Sequence, residues 1–306
     1  MKKSLIALAV AGALTAPMIA QADATLYGSL RVAVVDADGS ELDIKDNSSR
    51  IGVKASSELF SGAKAIAHFE TNVSTESGVF GQTKGEGRLA YVGATGDFGT
   101  VTVGRQWTPQ YLWTSAKVDI LDFGSNPTHN YSLAGRQGNT LAYISPDLSG
   151  FQVAAVLVAR DGSGESPDEA NTGDDDDAYN LAAHYSVGGF SVGVSTLDYQ
   201  GSVDDDYTAV AASYEMDNLY VAAEYSSNDI TDKDTWEVAG SYAMGNTKLL
   251  ANYVDFEGDG SQVALEVQQK LGKQARVFAN YIIADSDAED NGDAVDTLSV
   301  GYRVDF

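Results

Sequence analysis

The stretch TLSVGYRVDF, residues 297–306, alternates two kinds of side chain up to its final phenylalanine. Successive side chains of a β-strand point to opposite faces, so this alternation predicts a strand with one apolar face and one polar face. The polar face carries Arg303 and Asp305. Such a strand requires water on one side and an apolar medium on the other. The apolar face consists of Leu298, Val300, Tyr302, Val304 and Phe306.

The same period-two pattern recurs in sixteen segments of about ten residues, from ATLYGSLRVAVVD at Ala24 to the terminal stretch. The connections between these segments alternate in kind. Short turns such as SVGGF and EMDNL are interleaved with long acidic loops such as DGSGESPDEANTGDDDD. Short turns at one end and long loops at the other are typical of an up-and-down meander of antiparallel strands.

An even number of antiparallel strands allows the first strand to pair with the last, which removes both exposed edges of the sheet. We therefore predict an all-β fold, a 16-stranded antiparallel β-barrel. A barrel of this size is too wide for side chains to fill and encloses an aqueous channel. Tilted strands of about ten residues also match the thickness of the bilayer hydrocarbon. The sequence therefore predicts a transmembrane barrel.

Residues 1–22 carry an export signal. They combine Lys2 and Lys3, an apolar run and the small-residue ending Ala20-Gln21-Ala22, which is the pattern of a cleaved secretory signal peptide. A membrane helix is the alternative interpretation. Residues 23–306 are then a single exported barrel domain. The chain has no cysteine, so burial and backbone pairing must stabilise it without disulfides.

The charge of the chain is strongly acidic, with 19 basic and 44 acidic residues and a formal net charge of −25. This balance excludes nucleic acid as a partner, because phosphate contacts require clustered Lys and Arg. The acidic clusters Asp174–Asp177 and Asp204–Asp206 could bind divalent cations loosely. A solvated loop is the simpler interpretation of both clusters. No metal site or cofactor is predicted, since the three histidines lack metal-ligand spacing.

The arginines indicate which face of each strand is turned inward. An arginine facing lipid near the midplane costs about 2–4 kcal/mol, so four of them cost roughly 8–16 kcal/mol. That rivals the whole stability of a domain, about 5–15 kcal/mol. The polar faces are therefore predicted to line the lumen. The basic residues assigned to the lumen are Arg31, Arg50, Lys54, Arg88 and Arg303.

The longest connection with apolar content runs from Gly104 to Arg136 and contains Trp107 and Trp113. Its piece PQYLWTSAKVDIL has the pattern of two helical turns. A loop with its own apolar residues packs against something, and the barrel interior is the available surface. We predict that this loop folds inward and narrows the channel.

Taken together, the chain resembles the general diffusion porins of the Gram-negative outer membrane. The resemblance rests on the signal peptide, TLYG in the first strand, SRIG in the second, FGTVTVGRQ before the long loop, DILDFG within it, NTLAYISPDLSGF after it and the terminal Phe306. It covers essentially all of residues 23–306.

The resemblance implies a constriction in which acidic residues of the third external loop face basic side chains of the wall. DILDFG would place Asp119 and Asp122 at the constriction, and Arg50 and Arg88 match wall arginines of the family. Where several members have an arginine near the end of the sixth strand, this chain has Ile144. Arg136 is the nearest substitute. The resemblance also implies a homotrimer, contacts with lipid and lipopolysaccharide, and a C-terminal assembly strand containing Tyr302 and Phe306.

These features predict an outer-membrane channel for passive diffusion of ions and small hydrophilic solutes, without enzymatic activity. The acidic loops favour a weak cation preference. Three alternatives remain: a substrate-selective channel of the same architecture, an outer-membrane barrel enzyme and a soluble exported calcium-binding β-protein. The motif GFSVG around Ser191 fits a hydrolase nucleophile pattern, but an alternating strand follows it where a helix is required. We interpret it as a chance match.

Overall fold

A computed structural model describes most of the chain. The predicted signal peptide, residues 1–22, lies outside the described residues, as do His129 and most of the two acidic clusters, residues 174–176 and 204–205. The described ranges are 23–60, 62–81, 87–124, 135–159, 177–200, 206–229, 232–292 and 294–306.

The described residues form one antiparallel sheet of eighteen strand segments. Segments β2 and β3 both pair with β1, and β7 and β8 both pair with β6, so each couple is one wall strand with a local interruption. The wall therefore contains sixteen strands, and the predicted 16-stranded barrel is confirmed. The segments are β1 (Asp23–Ala37), β2 (Asp43–Asp46), β3 (Arg50–Phe60), β4 (Ala63–Asn72), β5 (Leu89–Gly96), β6 (Gly99–Trp107), β7 (Arg136–Gln137), β8 (Thr140–Ile144), β9 (Phe151–Val158), β10 (Asp177–Val187), β11 (Phe190–Gln200), β12 (Asp206–Met216), β13 (Leu219–Asn228), β14 (Lys233–Met244), β15 (Thr247–Phe256), β16 (Gly260–Lys270), β17 (Ala275–Ala284) and β18 (Thr297–Asp305).

The barrel closes between its first and last strands. β1 pairs with β18 from Ser29 opposite Asp305 to Ala37 opposite Thr297. Beyond this ladder, Gly28 and Phe306 exchange two backbone hydrogen bonds, with N to O distances of 2.8 and 3.0 Å. The terminal phenylalanine ring lies over Gly28, and a Cβ there would collide with it. Closure therefore extends to the last residue and leaves neither strand with an open edge.

Two short α-helices interrupt the connections in the described part of the chain. Helix α1 (Pro109–Trp113) begins at Thr108, whose side chain accepts a hydrogen bond from the backbone of Tyr111, and a 3-10 turn (Ser115–Lys117) follows it. Helix α2 (Ser286–Asn291) begins at Asp285, whose side chain accepts from the Ala288 N–H. Among the described residues, no helix has the length and apolar character needed to cross a membrane.

The two faces of the wall differ in polarity as the alternation predicts. On β16, Leu265 and Val267 are 48% and 40% exposed on the outer face, whereas Glu266 between them is 3% exposed on the inner face. Tyr302 and Phe306 belong to the exposed outer set. An apolar band of this extent is unfavourable in water and favourable in lipid. The inner face carries polar residues buried beneath the long connection between β6 and β7.

Candidate functional site: a charged cavity

Residues 108–124, here called the β6–β7 segment, are fastened to the inner face of the wall. The backbone N–H of Gln110 donates to Asn180 on β10 at 3.2 Å. Farther along, Ser115 Oγ donates to Glu224 on β13 at 2.8 Å, and the hydroxyl of Tyr220 donates to the carbonyl of Lys117 at 2.7 Å.

The second half of the segment continues around the wall toward β16. Asn252 Nδ2 on β15 donates to the Val118 carbonyl at 3.4 Å. Glu266 accepts from the backbone N–H groups of Asp122 at 3.0 Å and Phe123 at 3.3 Å. Because Glu266 lies on the inner face, the segment lies on the lumen side of strands β10 to β16.

A glycine on β11 permits a close approach of this segment to the wall. A Cβ placed on Gly193 would overlap the carbonyl of Trp113. Trp113 itself is buried with Ala154 and Ala182, and Ile144 packs against this cluster. Ile144, at the position where the sequence resemblance leads us to expect an arginine, therefore contributes to the packing of the segment.

The motif GFSVG serves to hold the segment. Ser191 Oγ accepts a hydrogen bond from Lys117 Nζ at 2.7 Å and lies 2.9 Å from His184 Nε2. Burial lowers the pKa of Lys117. Ser191 lies within β11, which continues to Gln200, so the strand-to-helix turn of a nucleophile elbow is not formed here.

Between the β6–β7 segment and the remaining wall lies a cavity of about 570 Å³. It brings together seven of the eight charged residues predicted for the lumen or constriction. The exception is Lys54, whose Nζ lies 5.1 Å from the centre of the Tyr27 ring, away from the cavity. The predicted residues that line it are Arg31, Arg50, Arg88, Asp119, Asp122, Arg136 and Arg303.

Four arginines of the cavity lie side by side on adjacent strands, and we call them the arginine row. Arg276 on β17 is directly opposite Arg303 on β18, and Arg303 is directly opposite Arg31 on β1. Arg50 on β3 is opposite Ser29, two residues from Arg31. Like charges directly opposite each other destabilise a sheet, so this row needs negative charge nearby.

Asp122 supplies part of that charge from the β6–β7 segment. Its carboxylate accepts from Arg276 Nε and Nη2, both at 2.5 Å, and from Arg303 Nη1 at 2.9 Å. Burial alone would raise the pKa of Asp122, but the hydrogen bonds and charges of Arg276 and Arg303 hold this pKa below its ordinary value. Asp122 is thus in direct contact with the basic wall.

Asp119 lies at the aromatic side of the same cavity. It accepts a hydrogen bond from the Tyr111 hydroxyl at 2.9 Å. The Tyr111 ring stacks on Trp107 with a centroid distance of 4.0 Å, and the guanidinium of Arg136 lies 4.4 Å from the centre of the Trp107 ring. Arg136 is thus part of the cavity through a cation–π contact.

Arg88 forms a separate buried pair. Its Nε donates to Glu70 Oε1 at 2.5 Å, and the two side chains are 7% and 8% exposed. The other oxygen of Glu70 accepts from the Tyr27 hydroxyl at 2.7 Å. Glu70 is therefore already engaged on both oxygens.

Sequence reasoning missed Arg276 and the wall carboxylates that hold the segment. The signal for Arg276 was available, because it shares the inward parity of Asn280 on β17. Glu224 and Glu266 could have been noticed as acids in the middle of apolar strands. The roles of these two glutamates could not have been predicted, because they depend on contacts with a loop that is far away in sequence.

The described ranges contain no candidate metal site, because no three His, Cys, Asp or Glu residues in them are grouped closely enough to hold an ion. The acidic clusters lie mostly outside these ranges, so loose cation binding there stays a prediction.

Comparison with known proteins assigns this architecture to a family. The family model described as Gram-negative porin matches residues 7–291, nearly the whole chain. The chain belongs to the Gram-negative porins. This confirms the resemblance inferred from the sequence. The porin is accordingly an outer-membrane barrel for passive diffusion, and its relatives are channel proteins rather than enzymes.

One relative supports this assignment over its full length, and two solved structures share the fold over nearly all of theirs. The major outer membrane protein P.IB of Neisseria lactamica is 30% identical over 369 aligned residues, which cover 100% of each chain. The solved structure of OmpF from Salmonella typhi, a complex with daunomycin, has a TM-score of 0.76 at 19% identity and covers 92% of the porin and 97% of OmpF. The trimer form of OmpT from Vibrio cholerae has a TM-score of 0.70 at 21% identity, with 93% and 99% coverage.

Proposed function

We propose that the β6–β7 segment forms a charged constriction inside this porin, through which ions and small hydrophilic solutes diffuse. The observation that carries the proposal is the double ion pair of Asp122 with Arg276 and Arg303, which ties the segment to the wall. Asp119 on the segment and Arg31, Arg50 and Arg88 on the wall then face the same narrow space. Charges within about 8 Å of one another interact at physiological salt, so the field acts most strongly at such a narrowing.

We infer a weak cation preference for the channel as a whole. A net charge of −25 makes the entrances attract cations. The arginines of the cavity oppose this locally, which is why the preference is weak. The reversal potential in a salt gradient across a planar bilayer measures the preference. An anion-selective reversal potential would refute it while leaving the channel itself intact.

We also propose that the porin assembles as a homotrimer through part of its apolar outer face, with lipid and lipopolysaccharide on the remainder. The trimer form of OmpT supports this assembly. The mass of the purified protein in detergent, after subtraction of bound detergent, tests it.

Export is proposed to remove residues 1–22 and leave residues 23–306 as one barrel domain. The small residues at Ala20 and Ala22 support cleavage after Ala22. Intact-mass measurement of the protein from outer membranes gives the cleavage site directly.

Channel formation itself is tested by adding the purified protein to a planar bilayer. Stepwise, uniform conductance increases are the expected result. A constriction held by Asp122 further implies that Asp122→Asn changes the size of these steps. Uniform steps of unchanged size in this variant would refute the constriction while leaving passive diffusion in place.

A further inference from the structure

The arginine row carries more positive charge than the acids around it neutralise. Six arginines and two carboxylates line the cavity among the described residues. Asp122 binds Arg276 and Arg303. Asp305 accepts a second interaction from Arg303 at 2.8 Å. The acids are thus concentrated at one end of the row.

The other end of the row, Arg31 and Arg50, has no such partner. Arg31 donates from Nε to the neutral Ser29 hydroxyl at 2.8 Å. Within the described part of the chain, neither Arg31 nor Arg50 forms an ion pair with a carboxylate. Asp122 and Asp305 act on Arg31 electrostatically, but both are hydrogen-bonded to other arginines of the row. Glu70 acts on Arg50 in the same way, but its oxygens accept from Arg88 and Tyr27.

Two neighbouring guanidiniums that line a cavity without forming an ion pair with its acids present donors and charge that suit an external anion. Guanidinium groups present parallel N–H donors that fit two oxygens of one carboxylate, sulfate or phosphate group. A divalent oxyanion offsets both charges, whereas chloride has one charge and no directed oxygens. The cavity, about 570 Å³, has room for such an anion with part of its hydration.

We propose that Arg31 and Arg50 form a binding subsite for a small divalent oxyanion, such as sulfate, phosphate or a dicarboxylate. The proposal rests on the proposed function, because it assumes that the cavity belongs to the conducting path. Divalent oxyanions are retained at this subsite during passage, and small monovalent ions are not. The channel therefore combines entrances that attract cations with an internal binding subsite for anions.

The test measures single-channel conductance in a KCl background while potassium sulfate, or potassium succinate, replaces KCl at constant ionic strength. We expect conductance to fall along a saturating curve with either dianion. In the double variant Arg31→Gln/Arg50→Gln, half-saturation should require at least tenfold more dianion. Lys54→Gln is the matched control, because Lys54 is an inward cation of the same strand β3 that does not line the cavity. It should leave the curve unchanged.

The outcomes separate the subsite from the proposed function. Channels that conduct but show no saturation, or equal saturation in the double variant, overturn the subsite alone. An equal increase in the half-saturating dianion concentration in Lys54→Gln also overturns the subsite. The effect would then arise from the total charge of the lumen and not from Arg31 and Arg50. Absence of any conductance in the unmodified porin overturns the proposed function.

A second measurement does not depend on the folding of a variant. Phenylglyoxal modifies accessible arginines, and peptide mass analysis identifies which ones have reacted. Sulfate should protect Arg31 and Arg50 in the unmodified porin several-fold more than Arg105, which does not line the cavity. Equal protection of all three arginines, or none at all, would overturn the subsite.

Discussion

Asp122 and Arg276 form a two-point ion pair, with both N to O distances at 2.5 Å, although 154 positions separate them along the chain. One belongs to the β6–β7 segment and the other to the next-to-last wall strand. The carboxylate is almost fully buried and also contacts Arg303. This pair joins the segment to the arginine row.

The first prediction concerns the replacement of this carboxylate. Asp122→Asn keeps the shape of the side chain but leaves Arg276 without an ion-paired carboxylate and Arg303 with Asp305 alone. We expect the free energy of unfolding to fall by about 1.5–3 kcal/mol, the range for hydrogen bonds to charged groups. Urea unfolding in lipid or detergent measures it. Asp97→Asn, in the exposed turn between β5 and β6, is the control and should change stability by less than about 0.5 kcal/mol. Equal effects of the two substitutions would contradict the prediction.

The second prediction is the acid response of the channel. The pKa of Asp122 is lower in the folded protein than in the unfolded chain, where an aspartate has a pKa of about 3.9. Its stabilising effect is therefore complete above pH 4 or so and is lost as pH falls through the lowered folded-state pKa. Titration of Asp122 should leave the conductance step size unchanged between pH 7 and about pH 4 and should alter it below that pH. Asp122→Asn should lack this acid transition. A transition centred near neutral pH would have to come from another group.

The third prediction tests the two faces of the wall with adjacent positions. The chain has no cysteine, so each introduced thiol is unique. Val53→Cys points to the outer face and Lys54→Cys to the lumen, and both side chains are exposed on their own side. In lipid vesicles, a membrane-impermeant thiol reagent should label Lys54→Cys and spare Val53→Cys. Labelling of both in intact vesicles would show that the outer face is not covered by lipid.

The fourth prediction concerns the approach of the segment to β11. Gly193→Ala places a methyl group against the carbonyl of Trp113. Overpacking of this kind costs about 1–3 kcal/mol, and we expect a lower unfolding temperature together with noisier single-channel currents. Gly240→Ala is the matched control, because the nearest atom to its added methyl is the Tyr220 carbonyl oxygen at 3.4 Å, an ordinary contact. A fully tolerated Gly193→Ala would mean that the segment does not press on this strand.

Much of the wall could be predicted because its signals are local. The alternation along residues 297–306 assigns Tyr302 outward and Arg303 inward without reference to any other strand. The same rule applies to Leu30 and Arg31 on β1. Arg276 obeys the same rule, because the pattern of its own strand places it on the inner face.

The structure places seven of the expected charged residues around one cavity, but the contacts between them do not follow from the sequence. The resemblance to porins named Asp122 and Arg50 as opposed groups, yet Asp122 is bound by Arg276 and Arg303, and Arg50 has no ion-pairing partner in the described residues. The role of Glu266 as acceptor for the segment was equally invisible, because the pattern of β16 contains no information about the loop that covers it.

The sequence by itself determined the number of wall strands, the side of the wall that each residue faces and the closed barrel, because alternation and turn residues act over a few positions. Only the tertiary structure decided which charges meet. Arg31 lies opposite Arg303 because the first and last strands pair in one particular register, and that register follows from closure of the whole barrel. Ion pairs depend on distances of a few ångströms, and chain closure sets these distances between residues that the sequence keeps far apart.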